Sequence, residues 1–132
     1  MLQPLRITSS EELAVQGLWT LQVAGEIGGR GSIVILMNGV IQGGDGAYLY
    51  RGQYQIHDQT ISGTILVCTI SSNFYRFLAL LDASEYVFEG TVECNQLIKG
   101  EIARVRDPNV SIPIEFRKQA PLPPAAVGTL VN

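Results

Sequence analysis

Apolar and polar residues alternate through most of this chain in short β-branched and aromatic runs, broken at close, regular spacing by glycine, asparagine or aspartate. A period of two marks strands with one buried face, and its recurrence predicts an antiparallel barrel or sandwich. Strands are expected at 17–25, 31–37, 40–43, 47–56, 60–70, 86–94, 97–106 and 111–118, joined as a meander.

The turn residues agree with that reading. Asn38-Gly39 lies between two apolar runs, and an Asn-Gly pair there favours a type I′ hairpin because both central residues need positive φ. Gly43-Gly44-Asp45-Gly46 supplies a second reversal, Asn95-Gln96 a third and Asp107-Pro108-Asn109 a fourth.

Alternation then assigns faces. Tyr48, Tyr50, Tyr54 and Ile56 share one side of their strand, and Arg51, Gln53 and Gln55 the other. Trp19, Leu21 and Val23 form a second such set, Tyr86, Phe88 and Val92 a third, and Ile112, Ile114 and Phe116 a fourth; all should point inward. Gly52, Gly63, Gly90 and Gly100 fall in mid-strand, as expected where a sheet bends sharply enough to close on itself. The expected fold is therefore all-β, a small antiparallel meander closed into a barrel of about eight strands.

The segment 72–83 fits either a helical stripe, through Phe74, Phe77, Leu78 and Leu81, or a buried strand. Residues 1–14 are polar and expected to fray, apart from a capped turn at Ser9-Ser10-Glu11-Glu12, and 119–132, with Pro121, Pro123 and Pro124, reads as a loose tail. The barrel would occupy 15–118 within one domain spanning 1–132.

Composition narrows the functional classes. Of 132 residues 46% are apolar and only 16% charged, so the chain should fold around a single core. Nine basic and twelve acidic residues leave a net charge of −3 with no Lys/Arg cluster, which argues against direct nucleic-acid binding. With no signal-like leader and no apolar run of membrane length, a cytoplasmic protein is expected. Cys68 and Cys94 are expected to be buried small hydrophobes, too far apart for a disulfide whether their strands are antiparallel neighbours, which puts them at opposite ends of the barrel, or parallel with one strand between them.

Candidate chemistry is sparse. His57 is the only histidine and sits at a strand end, a poor start for a triad. No His/Cys/Asp/Glu spacing suits a metal, no cofactor is implied, and Glu85, Glu89, Glu93 and Glu101 fall on outward faces. Asp45 can accept hydrogen bonds from turn amides, which locks its reversal, or it can serve a ligand. The aromatic set Trp19, Tyr48, Tyr50, Tyr54, Tyr86 and Phe88 either fills the interior or lines room for one small apolar ligand. Val34, Leu36, Ile65 and Val67 are assigned to the outer wall, on strands with two apolar faces, where a second chain would cover them. These features describe a binding protein and not an enzyme.

The stretches Gly17-Leu18-Trp19-Thr20, Gly29-Arg30-Gly31-Ser32-Ile33-Val34 and 39–54, with Gly43-Gly44-Asp45 followed by Tyr48, Tyr50, Gly52 and Tyr54, resemble the GrlR-like family. These are small calycin-related barrels named for a negative regulator of type III secretion genes. The resemblance covers about the first half of the chain. It implies a dimeric, lipocalin-like barrel that restrains transcription by binding a DNA-binding activator protein. The likeness departs at Ile56-His57-Asp58-Gln59-Thr60, where the founding regulator carries a run of acidic residues.

Overall fold

Short strands joined by tight turns can bury their inner faces only by wrapping round one another, and here they close completely. The computed structural model describes residues 9–23, 32–46, 48–69 and 84–123. A short helix, α1 (Ser10–Val15), precedes eight strands: β1 (Gly17–Val23), β2 (Ser32–Met37), β3 (Val40–Gly44), β4 (Tyr48–His57), β5 (Thr60–Thr69), β6 (Ser84–Cys94), β7 (Leu97–Arg104) and β8 (Asp107–Ala120). Each strand pairs antiparallel with its sequence neighbour, and β8 pairs with β1 to close the barrel. Closure leaves the eight described strands no edge for another chain to extend.

The interior is filled by residues of one phase from every strand. Trp19, Leu36, Ile41, Ile61, Ile65, Ile98 and Phe116 are all essentially inaccessible, and Phe88 lies against Phe116 with ring centroids 6.0 Å apart. Gly52 and Gly63 show how the wall closes around them: a Cβ on Gly52 would sit 2.0 Å from the Thr64 carbonyl oxygen, and one on Gly63 2.0 Å from that of Gln53. Only a residue without a side chain permits strands to approach so closely.

The turn at Asn38-Gly39 has φ of 52° and 81°, the left-handed pair that a type I′ hairpin requires. Asp58 and Gln59, at φ 52° and 65°, make an equally tight reversal between β4 and β5. The turn expected at Asp107-Pro108-Asn109 lies two residues earlier, at Val105-Arg106. Arg104 pairs with Asp107 and Ala103 with Ser111, so Pro108, Asn109 and Val110 bulge out of the ladder, where a missing N–H costs little.

Two terminal expectations change as well. Residues 10–15 form a helix with Ser9 as its N-cap, and β8 continues to Ala120 because Leu18 of β1 still offers it a partner. The alternative between helix and strand at 72–83 falls outside the described residues.

Candidate functional site

The two ends of the barrel are built differently. At one end α1 lies beneath the hairpin turns β2–β3 and β4–β5 and plugs the interior. Ser9 Oγ accepts from the Glu12 amide at 3.0 Å, an N-cap that starts the helix, and Val15 is fully buried. The Val15 carbonyl accepts the Trp19 Nε1–H at 2.8 Å, so the largest interior side chain has its one polar atom satisfied by the plug.

Acidic residues of α1 tie the plug to the turns. Glu12 Oε2 accepts from the Tyr54 hydroxyl at 2.6 Å and from the Asn38 amide at 2.8 Å, while Glu11 Oε2 accepts from the Gln59 amide at 2.8 Å. Left-handed turn residues expose N–H groups that no strand partner can take, and the carboxylates supply acceptors. Burial, then the Glu12 carboxylate beside it, pushes the Tyr54 phenol far above its ordinary range. Lys118, on the inward phase of β8, donates to the Ala14 carbonyl at 3.1 Å and lies 5.9 Å from the centre of the Trp19 ring; burial lowers its pKa.

The opposite end carries no such plug among the described residues. Ser32 is buried there, its Oγ 2.7 Å from the Tyr50 hydroxyl and 3.5 Å from Asp45 Oδ2. Asp45 Oδ1 accepts from the Tyr48 amide at 2.8 Å, and the Asp45 amide donates back to the Tyr48 carbonyl, which fixes the β3–β4 reversal. Gly43 and Gly44 lie at the end of β3 leading into it. Tyr86, paired with Arg104, accepts from Arg104 Nε at 3.3 Å, and this contact raises the guanidinium pKa.

The aromatic set thus divides along the barrel axis. Trp19, Tyr54 and Phe88 belong to the packed core, Tyr50 and Tyr86 are half-buried against it, and Tyr48 is exposed at the rim. The outer-wall assignment of Val34, Leu36, Ile65 and Val67 is overturned. Val34, Leu36 and Ile65 are buried core residues, and Val67 packs half-buried against them. β2 is apolar at nearly every position, so alternation gives it no phase; register does. Val34 pairs with Trp19 and Val67 with Tyr50, and residues directly opposite in a ladder point the same way.

The outer positions of these strands are taken instead by Ile33 and Ile35 on β2, Val40 on β3 and Leu66 on β5. Ile33, Ile35 and Val40 are 52%, 41% and 42% exposed; Ile35 is paired with Leu18 of β1, Ile33 with Thr20, and Val40 with Met37 of β2. No charged residue occurs in β1, β2 or β3.

The remaining candidates are scattered. His57 is exposed and 3.3 Å from Asp58. Glu85, Glu89, Glu93 and Glu101 are exposed on the outer wall, with Glu89 directly opposite Glu101. Cys68 is buried as expected, but Cys94, next to the β6–β7 turn, is exposed; both are free thiols. Among the described residues no three His, Cys, Asp or Glu side chains converge as a metal site would need, and no helix is long and apolar enough to cross a membrane.

In comparisons with known proteins, no protein-family model matches the chain and no curated protein is significantly similar to it. The features that bear on function are the two ends of the barrel and its outer wall. Three features of these had little weight in the sequence: Glu11 and Glu12 as anchors, Ser32 as a buried hydroxyl, and Arg104 on an inward phase. The spacing of Ser9 and Glu12 was the one local signal for the first of them.

Proposed function

We propose that this protein is a non-catalytic binding barrel of GrlR-like type, a cytoplasmic dimer that restrains a DNA-binding transcriptional activator by protein–protein contact. The observation that carries the reading is the uncharged outer wall of β1–β3, with Ile33 and Ile35 exposed two residues apart on β2 and Val40 exposed opposite Met37 on β3. An isologous dimer needs a patch compatible with itself, and an uncharged patch is the kind that does not repel its own copy in a protein of net charge −3. The outer wall of β6 and β7, with Glu85, Glu89, Glu93 and Glu101, suits a basic partner such as a DNA-binding domain.

Light scattering on the purified protein should give twice the chain mass, and Ile35→Lys should give the single-chain mass with stability changed by no more than about 0.5 kcal/mol. A wild-type monomer refutes the dimer. The regulatory claim predicts that the protein co-purifies with a DNA-binding activator from its own cells and abolishes that activator's mobility shift. Glu89→Lys with Glu101→Lys should destroy both effects.

A second reading, a carrier or sensor of a small apolar ligand, is favoured by one observation. Tyr48 and Ile112 share the inward phase of buried residues yet are exposed at the end that, among the described residues, carries no plug. Native mass spectrometry of gently purified protein would reveal such a ligand.

A further inference from the structure

Two cations of this barrel occupy inward phases, one at each end, and they differ in how far they are satisfied. Lys118 at the plugged end has the Ala14 carbonyl and the face of Trp19. Arg104 at the open end shares the phase of Ile102 and pairs with inward-facing Tyr86. Its guanidinium carbon lies 5.9 Å from the centre of the Tyr86 ring, and its Nε donates to the Tyr86 hydroxyl. Among the described residues nothing else hydrogen-bonds to the guanidinium, and no carboxylate lies within ion-pair distance of it.

A cavity of about 120 Å³ opens beside this pair, lined by Tyr86, Ile102, Arg104, Asp107, Val110 and Ile112, with Ala103 at its edge. At roughly 30 Å³ per water it holds about four waters, the room for a short hydrocarbon chain. Its apolar walls include Val110 and Ile112, both exposed, the first because the bulge after Asp107 lifts it out of the ladder. One side of the cavity is therefore a planar fork of unused N–H donors beside a phenol whose own proton is left to donate, and the other is bare hydrocarbon.

We propose that this rim cavity binds a short amphipathic carboxylate, its anionic head on Arg104 and the Tyr86 hydroxyl and its chain over Ile102, Val110 and Ile112. A carboxylate matches the guanidinium fork with two parallel hydrogen bonds, and an exposed apolar wall gains from covering. Asp107 lines the same cavity and opposes a second negative charge, and Arg104 is open to solvent, so the affinity is modest. The inference rests on the small-ligand reading above and adds to it the charge of the ligand and its place at the rim.

The test is titration of isotope-labelled full-length protein with hexanoate, hexanol and hexylamine, followed by amide shifts in NMR. Hexanoate should saturate shifts at Tyr86, Arg104, Val110 and Ile112 and bind about tenfold more tightly than hexanol, the factor expected of a charge-assisted contact at an exposed site. Arg104→Gln should erase that preference, Arg104→Lys should keep part of it, Ile112→Ser should weaken both ligands, and Arg106→Gln, on the neighbouring turn, should change neither. Equal binding of hexanoate and hexanol at the rim would overturn the carboxylate assignment and leave the small-ligand reading standing. Binding of neither would overturn both. Shifts confined to the plugged end, or a preference that survives Arg104→Gln, would overturn the site.

Discussion

The plugged end and the end left open among the described residues are made from the same eight strands, and the described difference between them is six residues of helix. At the plugged end every polar group that faces inward has a partner on α1 or donates to it: Trp19 Nε1 to Val15, the Tyr54 hydroxyl to Glu12, Lys118 to Ala14. At the other end, among the described residues, Tyr48, Ile112 and Arg104 share the inward phase and are exposed. A meander supplies the wall whatever happens at its mouths; the sequence before β1 shuts one of them. Stability should concentrate where the plug is.

The largest effect expected from that contrast comes from emptying each end of an aromatic side chain. Trp19→Ala removes a fully buried indole and its bond to α1 and should cost about 3–5 kcal/mol, whereas Tyr86→Ala, half-buried at the rim, should cost about 1–2 kcal/mol. Urea denaturation of the two variants measures this directly. Equal losses would mean that the open end is as tightly packed as the plugged one, and the contrast would fail.

The second effect isolates the plug from the core. Glu12 takes the Tyr54 hydroxyl and the Asn38 amide together, so Glu12→Ala should destabilise by about 2 kcal/mol, the range for hydrogen bonds to a charged group. It should also speed hydrogen exchange at Asn38 more than at Tyr48, whose amide is held by Asp45 at the far end. Uniform acceleration at both ends would show that α1 is part of one cooperative unit with the rim.

The sequence carried the wall more clearly than either end, and the reasons are local. Asn38-Gly39, the glycines at 52 and 63, and the alternation from Tyr48 to Ile56 each encode geometry within a few residues, and each stands in the structure as those patterns require. Val67 was legible too, had the hairpin been counted: a two-residue turn at Asp58-Gln59 pairs His57 with Thr60 and so Tyr50 with Val67, which must then face inward. β2 has no alternation of its own, but the same counting applies to it: the two-residue turn at Asn38-Gly39 pairs Leu36 with Ile41 and Ile35 with Gln42, and the polar Gln42 then marks Leu36 and Val34 as inward. The plug was hidden. Glu11 and Glu12 look like solvent-facing residues until the turns they cap are brought next to them by the fold, and those turns lie more than twenty residues away in sequence.

The smallest effect is the most specific to the plugged end, because it depends on one proton. Burial and Glu12 raise the folded-state pKa of Tyr54 well above the ordinary 10.0, so above that pH the unfolded chain releases the phenolic proton while the folded chain keeps it. The contribution is complete below pH 10.0 and is lost as pH climbs toward the folded value, by at most about 1.4 kcal/mol per pH unit. Lys118 works in the other direction: its lowered folded pKa means that the unfolded chain holds more protons below 10.5, so its contribution rises with pH there. Comparing urea midpoints at about pH 9 and about pH 11 should therefore show a fall in wild type and a smaller fall in Tyr54→Phe, with that variant about 1 kcal/mol less stable at the lower pH. Lys118→Met should steepen the fall, since it removes the opposing group and leaves the phenol. Identical slopes in wild type and Tyr54→Phe would mean that the hydroxyl is open to water, and with it the seam between α1 and β4.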